Sequence, residues 1–121
     1  MTARLRAARG AQGSVTAEVA LALPGLLIVV FALILGVVLA GQQVRCRDAA
    51  SAVARAIARG ESAATVERLA ESAMPSGANY QVDSIEGRVR VRVEWRLPSS
   101  AGPVARWAPA AQATSVAEVE Q

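Results

Sequence analysis

Residues 13–41 read GSVTAEVALALPGLLIVVFALILGVVLAG, and this stretch decides what the rest of the chain can be. From Val19 to Gly41 it contains 23 residues without a charge. A helix of that length extends about 34 Å, which exceeds the roughly 30 Å hydrocarbon core of a bilayer. The stretch therefore predicts a transmembrane helix at 14–41, and its one carboxylate, Glu18, stands at the start of the span.

The residues before the span, 1–13, are basic and rich in small side chains, with three arginines and no acidic residue. This composition is typical of a targeting leader peptide rather than of folded structure. Arginines also follow the span, at Arg45 and Arg47. Because positive charge flanks the span on both sides, the positive-inside rule leaves the orientation open.

Two features inside the span concern its packing with other helices. Pro24 removes one backbone hydrogen bond and predicts a bend, which neighbouring helices in lipid can accommodate. Ala32, Gly36 and Ala40 recur every four residues and form a stripe of small side chains along one face. Such a stripe lets a second helix approach closely.

The helical pattern continues beyond the span through 42–60 and ends at Gly60, a typical helix stop. Apolar side chains recur there every three to four residues and form one stripe: Cys46, Ala49, Ala50, Val53 and Ile57. This predicts an amphipathic continuation, outside the membrane, that packs on a head formed by 61–121. Cys46 is the only cysteine, so it is either a small packed residue or the partner of a cysteine in another chain.

The head is predicted to be small and α+β. Helical periodicity covers 61–74, and the sequence Pro-Ser-Gly at 75–77 ends it. A weaker strand follows at 80–85, then a turn at Glu86-Gly87 and a clear strand with a period of two at 88–97. Residues 112–119 fit either a third strand or an Ala-rich helix. We favour the strand, because Thr and Val are frequent there and a hairpin needs a third strand for stability.

The clear strand has one buried and one solvated face. The alternating apolar residues, expected to pack against the helices, are Val89, Val91, Val93, Trp95 and Leu97. The opposite face carries Arg88, Arg90, Arg92 and Arg96. An aromatic-plus-basic surface for nucleic acid needs both residue types on one side, and here Trp95 points away. The arginines therefore predict a solvated face, partly matched by the acidic region 61–86.

Composition argues against catalysis by the chain itself. It has no His and one Cys, so the usual zinc ligand sets and a Ser-His or Cys-His pair are absent from the sequence. We expect no enzyme activity, no metal, no cofactor, no nucleic acid and no small-molecule substrate.

The order of these features resembles a known family. GSVTAE at 13–18, an apolar helix with a Leu-Pro step at 23–24, and QVRCRDAASAVARAIARG at 43–60 resemble the type IV pilin-like class. More closely, they are similar to the TadE family of minor pilins, or pseudopilins, of the tight-adherence (Flp pilus) system, actinobacterial type. The resemblance is specific over residues 13–60 and loose over the head.

The resemblance implies a structural subunit that a prepilin peptidase cuts after Gly13, which makes Ser14 the mature N-terminus and Glu18 the fifth residue. It also implies a cytoplasmic N-terminus, an extracytoplasmic head and association with other pilin-like Tad subunits through the N-terminal helix. The new amine at Ser14 can then pair with Glu18 of a staggered neighbour and set the register between helices.

Two other interpretations remain open from the sequence. Val38-Leu39-Ala40 has small residues near the right places for signal peptidase, so a small binding module released after Ala40 is one alternative. The other is an unprocessed, single-pass membrane accessory protein that keeps its leader.

Overall fold

The structure is a computed structural model that describes the backbone of residues 2–119 and the side chains of residues 13–119. The leader arginines Arg4, Arg6 and Arg9 therefore lie outside the described side chains. The chain divides into two units, 1–37 and 38–121, which are described separately below.

The first element is the long helix α1, Thr2–Ala58, with Pro24 inside it. The predicted helix is confirmed from Ser14 to its end near Arg59. Its predicted start at Ser14 is wrong, because α1 begins at Thr2. The leader continues the helix back to Thr2 instead of lying outside folded structure. The physical reason is composition, since Ala, Arg and Leu are among the best helix formers.

The short helix α2, Ala63–Ala73, follows a sharp turn after α1. Gly60 adopts a φ of 72°, a left-handed conformation that ends α1 at the predicted position. Ser62 then caps α2, because its hydroxyl accepts a hydrogen bond from the Thr65 backbone N–H at 3.3 Å. The second helix predicted at 61–74 is confirmed, with slightly narrower bounds.

The sheet has three antiparallel strands in the order β1-β2-β3: β1 is Asn79–Ile85, β2 is Arg88–Trp95 and β3 is Ala111–Glu118. Glu86 and Gly87 connect β1 to β2 with φ values of 51° and 75°. Two consecutive positive φ angles are typical of a type I′ hairpin turn, which matches the twist of the flanking strands. All three predicted strands are confirmed.

The core of unit 38–121 is formed by one face of α1, α2 and one face of the sheet. Its buried members are Cys46, Ala49, Ala50, Val53, Ala54, Ala56, Val66, Ala70, Val89, Val91, Val93, Trp95, Ala111 and Ala113. The predicted burial of the β2 face is confirmed from Val89 to Trp95. Leu97 is only half-buried, because β2 ends at Trp95 and the chain turns away.

The connection between β2 and β3 contains a 3-10 turn at Ser99–Ala101 and a four-residue helix, α3, at Val104–Trp107. The sequence left residues 104–107 unassigned. The predicted class, α+β with a long N-terminal helix, a short helix and a small antiparallel sheet, is confirmed, and its element order is pilin-like.

Candidate functional site

The candidate site is the surface of α1 over residues 13–41. In unit 1–37 every described side chain except the half-buried Leu35 is exposed. Within the part of the chain that the structure describes, one helix is long and apolar enough to cross a membrane, and it lies near the N-terminus. An exposed surface of Leu, Ile, Val and Phe fits a single-pass membrane protein, because lipid tails solvate apolar side chains while the helix pairs its own backbone polar groups.

The expected cleavage bond, between Gly13 and Ser14, lies inside α1 and both residues are exposed. Nothing lies within 4 Å of the position that a Cβ atom on Gly13 would occupy. Glycine within a helix costs roughly 0.5–1 kcal/mol relative to alanine, so Gly13 makes α1 easier to open locally at this bond. The described side chains near Gly13 do not cover it.

Glu18 lies one helical turn after Ser14, on the same face of α1. Its side chain is exposed. Among the side chains described, residues 13–119, the ion pairs found are Arg59–Glu61, Arg88–Glu118 and Arg96–Glu94, so Glu18 is not in one. A carboxylate at this depth can accept a cation that another chain presents.

The small-residue stripe is open on the surface of the chain. Ala32, Gly36 and Ala40 are all exposed, and a Cβ atom on Gly36 would meet nothing within 4 Å. Helix α1 also continues through Pro24 without a break. The stripe is thus available to a second helix.

Cys46 lies in the core, fully buried, and it is a free thiol. Burial raises its pKa, because the thiolate loses water solvation there. The structure therefore places Cys46 as a small packed residue. A disulfide with another chain would require the head to open first.

The arginine face of β2 is solvated, as the alternation predicted. Arg88, Arg90 and Arg92 are exposed, and Arg88 contacts Glu118 of β3 at 3.3 Å. The acidic partner of Arg88 therefore comes from β3, through the side-chain carboxylate of Glu118, and not from the predicted region 61–86. Arg90 does lie opposite Asp83 in the β1–β2 register.

Sequence reasoning missed two features of unit 38–121. The Gln43 side chain brackets the backbone of Gln112: it donates to the carbonyl at 2.5 Å and accepts from the N–H at 3.0 Å. Trp107, on α3, is 87% exposed. A lone tryptophan among small residues and prolines was the sequence pattern that could have indicated the exposed Trp107. The hydrogen bonds between Gln43 and Gln112 join residues 69 positions apart, and no local sequence pattern indicates them.

The residues described contain no group of three or more His, Cys, Asp or Glu side chains placed to hold a metal ion. Comparisons with protein-family models, with curated proteins and with solved structures gave no match.

Proposed function

We propose that this chain is a structural subunit of a pilin-like assembly, a TadE-like minor pilin of a Flp/Tad type IV pilus system. The observation that carries the proposal is the exposed apolar helix at 13–37, which begins with the motif GSVTAE and has Glu18 as its one carboxylate. An anchor alone needs only apolar side chains, whereas a carboxylate at the start of a span is costly and calls for a partner.

In this proposal a prepilin peptidase removes residues 1–13, and the head lies outside the cytoplasmic membrane. The new Ser14 amine and Glu18 of adjacent chains then form an ion pair. Such a pair contributes little net stability in a low dielectric, but leaving one charge unmatched is costly. The pair therefore fixes the stagger between helices, and the stripe of Ala32, Gly36 and Ala40 lets them approach.

A released module is less compatible with the packing of unit 38–121. Leu39 is half-buried against the head core. Cleavage after Ala40 would remove Leu39 and expose the apolar surface that it covers.

The mature N-terminus tests processing directly. We expect N-terminal sequencing and intact mass of membrane-extracted protein to give a chain that begins at Ser14. A start at Gly41 would support the released module, and a start at Met1 would support the unprocessed accessory protein.

Assembly is tested with Glu18→Gln, which removes the charge and keeps the shape. We expect unchanged membrane abundance, because the change removes a charge from the span, together with a loss of crosslinking to partner subunits. Glu67→Gln is the matched control, since Glu67 is an exposed carboxylate on α2, outside the span. Normal crosslinking of Glu18→Gln would refute the register mechanism.

A further inference from the structure

The β2–β3 connection, residues 96–110, differs in composition from the rest of the head. It reads RLPSSAGPVARWAPA and contains two charged residues, Arg96 at its start and Arg106 beside the tryptophan. Its tryptophan is 87% exposed, whereas Trp95 in the core is 6% exposed. A tryptophan combines a large apolar ring with one N–H donor, so full exposure to water leaves much apolar surface uncovered.

The position of the connection follows from contacts within unit 38–121. Gln43 holds the backbone of Gln112 through two hydrogen bonds, at the start of β3. The uncharged run ends at Gly41, about 3 Å before Gln43 along the helix axis. The start of β3 therefore lies at the level where the apolar run ends.

The rest of β3 leads away from that level. Among the α1 side chains described, from Gly13 onward, Leu39 packs on the core before Gln43, and the other core members lie between Cys46 and Ile57. Ala113 and Ala117 of β3 pack in the same core, so from Gln112 the strand continues into the core that is formed by the part of α1 after Gln43. Trp95, where β2 ends, pairs with Ala111, where β3 begins. Both ends of the connection thus lie beside the end of the span.

Trp107 lies on α3, whose backbone is held by hydrogen bonds. Backbone hydrogen bonds close the 3-10 turn and α3, including Gly102 N–H to Ser99 O at 3.0 Å and Ala108 N–H to Val104 O at 3.0 Å. Val104 and Ala108 are half-buried, while Arg106 and Trp107 are exposed. The helix therefore turns its apolar side chains to the head and its tryptophan and arginine outward.

We infer that the β2–β3 connection rests on the membrane that α1 spans, with the Trp107 ring in the headgroup region and Arg106 at the lipid phosphates. Tryptophan is enriched at this depth because its ring leaves water while its N–H stays hydrogen-bonded. Arginine beside it keeps its charge at the interface. The contact requires α1 to span the membrane, and it does not require the chain to be a pilus subunit.

The test uses the full chain in phosphatidylcholine vesicles whose acyl chains carry bromine either near the headgroup or near the bilayer centre. Bromine quenches tryptophan fluorescence at short range. Subtracting the spectrum of Trp107→Phe isolates the Trp107 signal from that of Trp95. We expect blue-shifted Trp107 emission and greater loss of intensity with the shallow bromine than with the deep one.

The matched control moves the reporter to the other end of the sheet. Ile85→Trp in the Trp107→Phe background places a tryptophan beside the hairpin turn, at a side chain that is 52% exposed. We expect this reporter to be unquenched in the same vesicles.

Four outcomes would overturn the inference. Trp107 with the emission of a water-exposed indole and no quenching would show that it does not reach lipid. Blue-shifted Trp107 emission that bromine does not quench, and that changes with the protein-to-lipid ratio, would show that another copy of the chain covers Trp107. Equal quenching at position 85 would show that the contact is not confined to this connection, and failure of the chain to float with the vesicles would reject the anchor itself.

Discussion

The two parts of α1 that carry apolar side chains differ in residue size and in what covers them. Residues 19–37 are dominated by Leu, Ile, Val and Phe, and Leu21 is 80% exposed. Residues 46–58 include six alanines, and Ala50 is completely buried. The more hydrophobic part is thus the exposed one, and the part with small side chains forms the core of the head.

Size explains the difference. Ala49, Ala50 and Ala54 are fully buried in the core, where larger side chains at the same positions would not fit without moving their neighbours. The part of α1 at 19–37 is apolar on all sides, and a helix of this kind is stable in lipid and not on a water-exposed surface. Charged residues confirm the division, because the region 46–58 carries Arg47, Asp48 and Arg55 on its exposed face.

The largest expected effect tests whether the head core follows the β2 alternation. Val91→Asp places a carboxylate in a fully buried position, and we expect a loss of about 4 kcal/mol or more, enough to unfold the head. Arg90→Asp is the matched control on the exposed face, and we expect a loss of at most about 1 kcal/mol, because the new carboxylate lies opposite Asp83 but stays in water. Thermal unfolding followed by circular dichroism in detergent measures both, and equal sensitivity would contradict the assignment of faces.

An intermediate effect tests the comparison between the two parts of α1 itself. Ala50→Leu adds volume to the packed core, and we expect a loss of about 1–3 kcal/mol. The same substitution at Ala22, which is exposed within the span, should leave head stability and membrane insertion unchanged. Limited proteolysis of the head reports the first change and membrane fractionation the second. Loss of head stability from Ala22→Leu would show that this part of α1 also supports the head.

Local patterns were enough to predict most of the fold. The period of two in β2 and the period of three to four in α2 are properties of neighbouring residues, and the Glu86-Gly87 turn depends on two positions. The start of α1 was missed because a basic, small-residue leader and a helix have overlapping compositions.

The site was only partly predictable for a related reason. Cleavage and register residues, from Gly13 to Glu18, form a contiguous motif, and their roles remain predictions. The β2–β3 connection had no such motif. Its place beside the end of the span depends on the contact between Gln43 and Gln112, which no periodicity in either segment indicates.

The smallest expected effect concerns Cys46 and leaves the fold intact. Burial excludes alkylating reagents and raises the pKa of the thiol, so less thiolate is present than for an exposed cysteine at the same pH. We expect Cys46 to react with iodoacetamide only after denaturation. The control, Val44→Cys in a Cys46→Ala background, places a thiol at an exposed position two residues away and should react in the native protein.

The same pKa shift predicts how stability depends on pH. The unfolded chain releases the Cys46 proton at a lower pH than the folded chain does. The free energy of unfolding should therefore be unaffected by this group at neutral pH, and should fall as pH rises from the unfolded pKa towards the raised folded pKa. Cys46→Ala should remove that dependence. Rapid native labelling of Cys46, or an alkaline pH dependence that is identical with and without Cys46→Ala, would contradict the burial of the thiol in the packed part of α1.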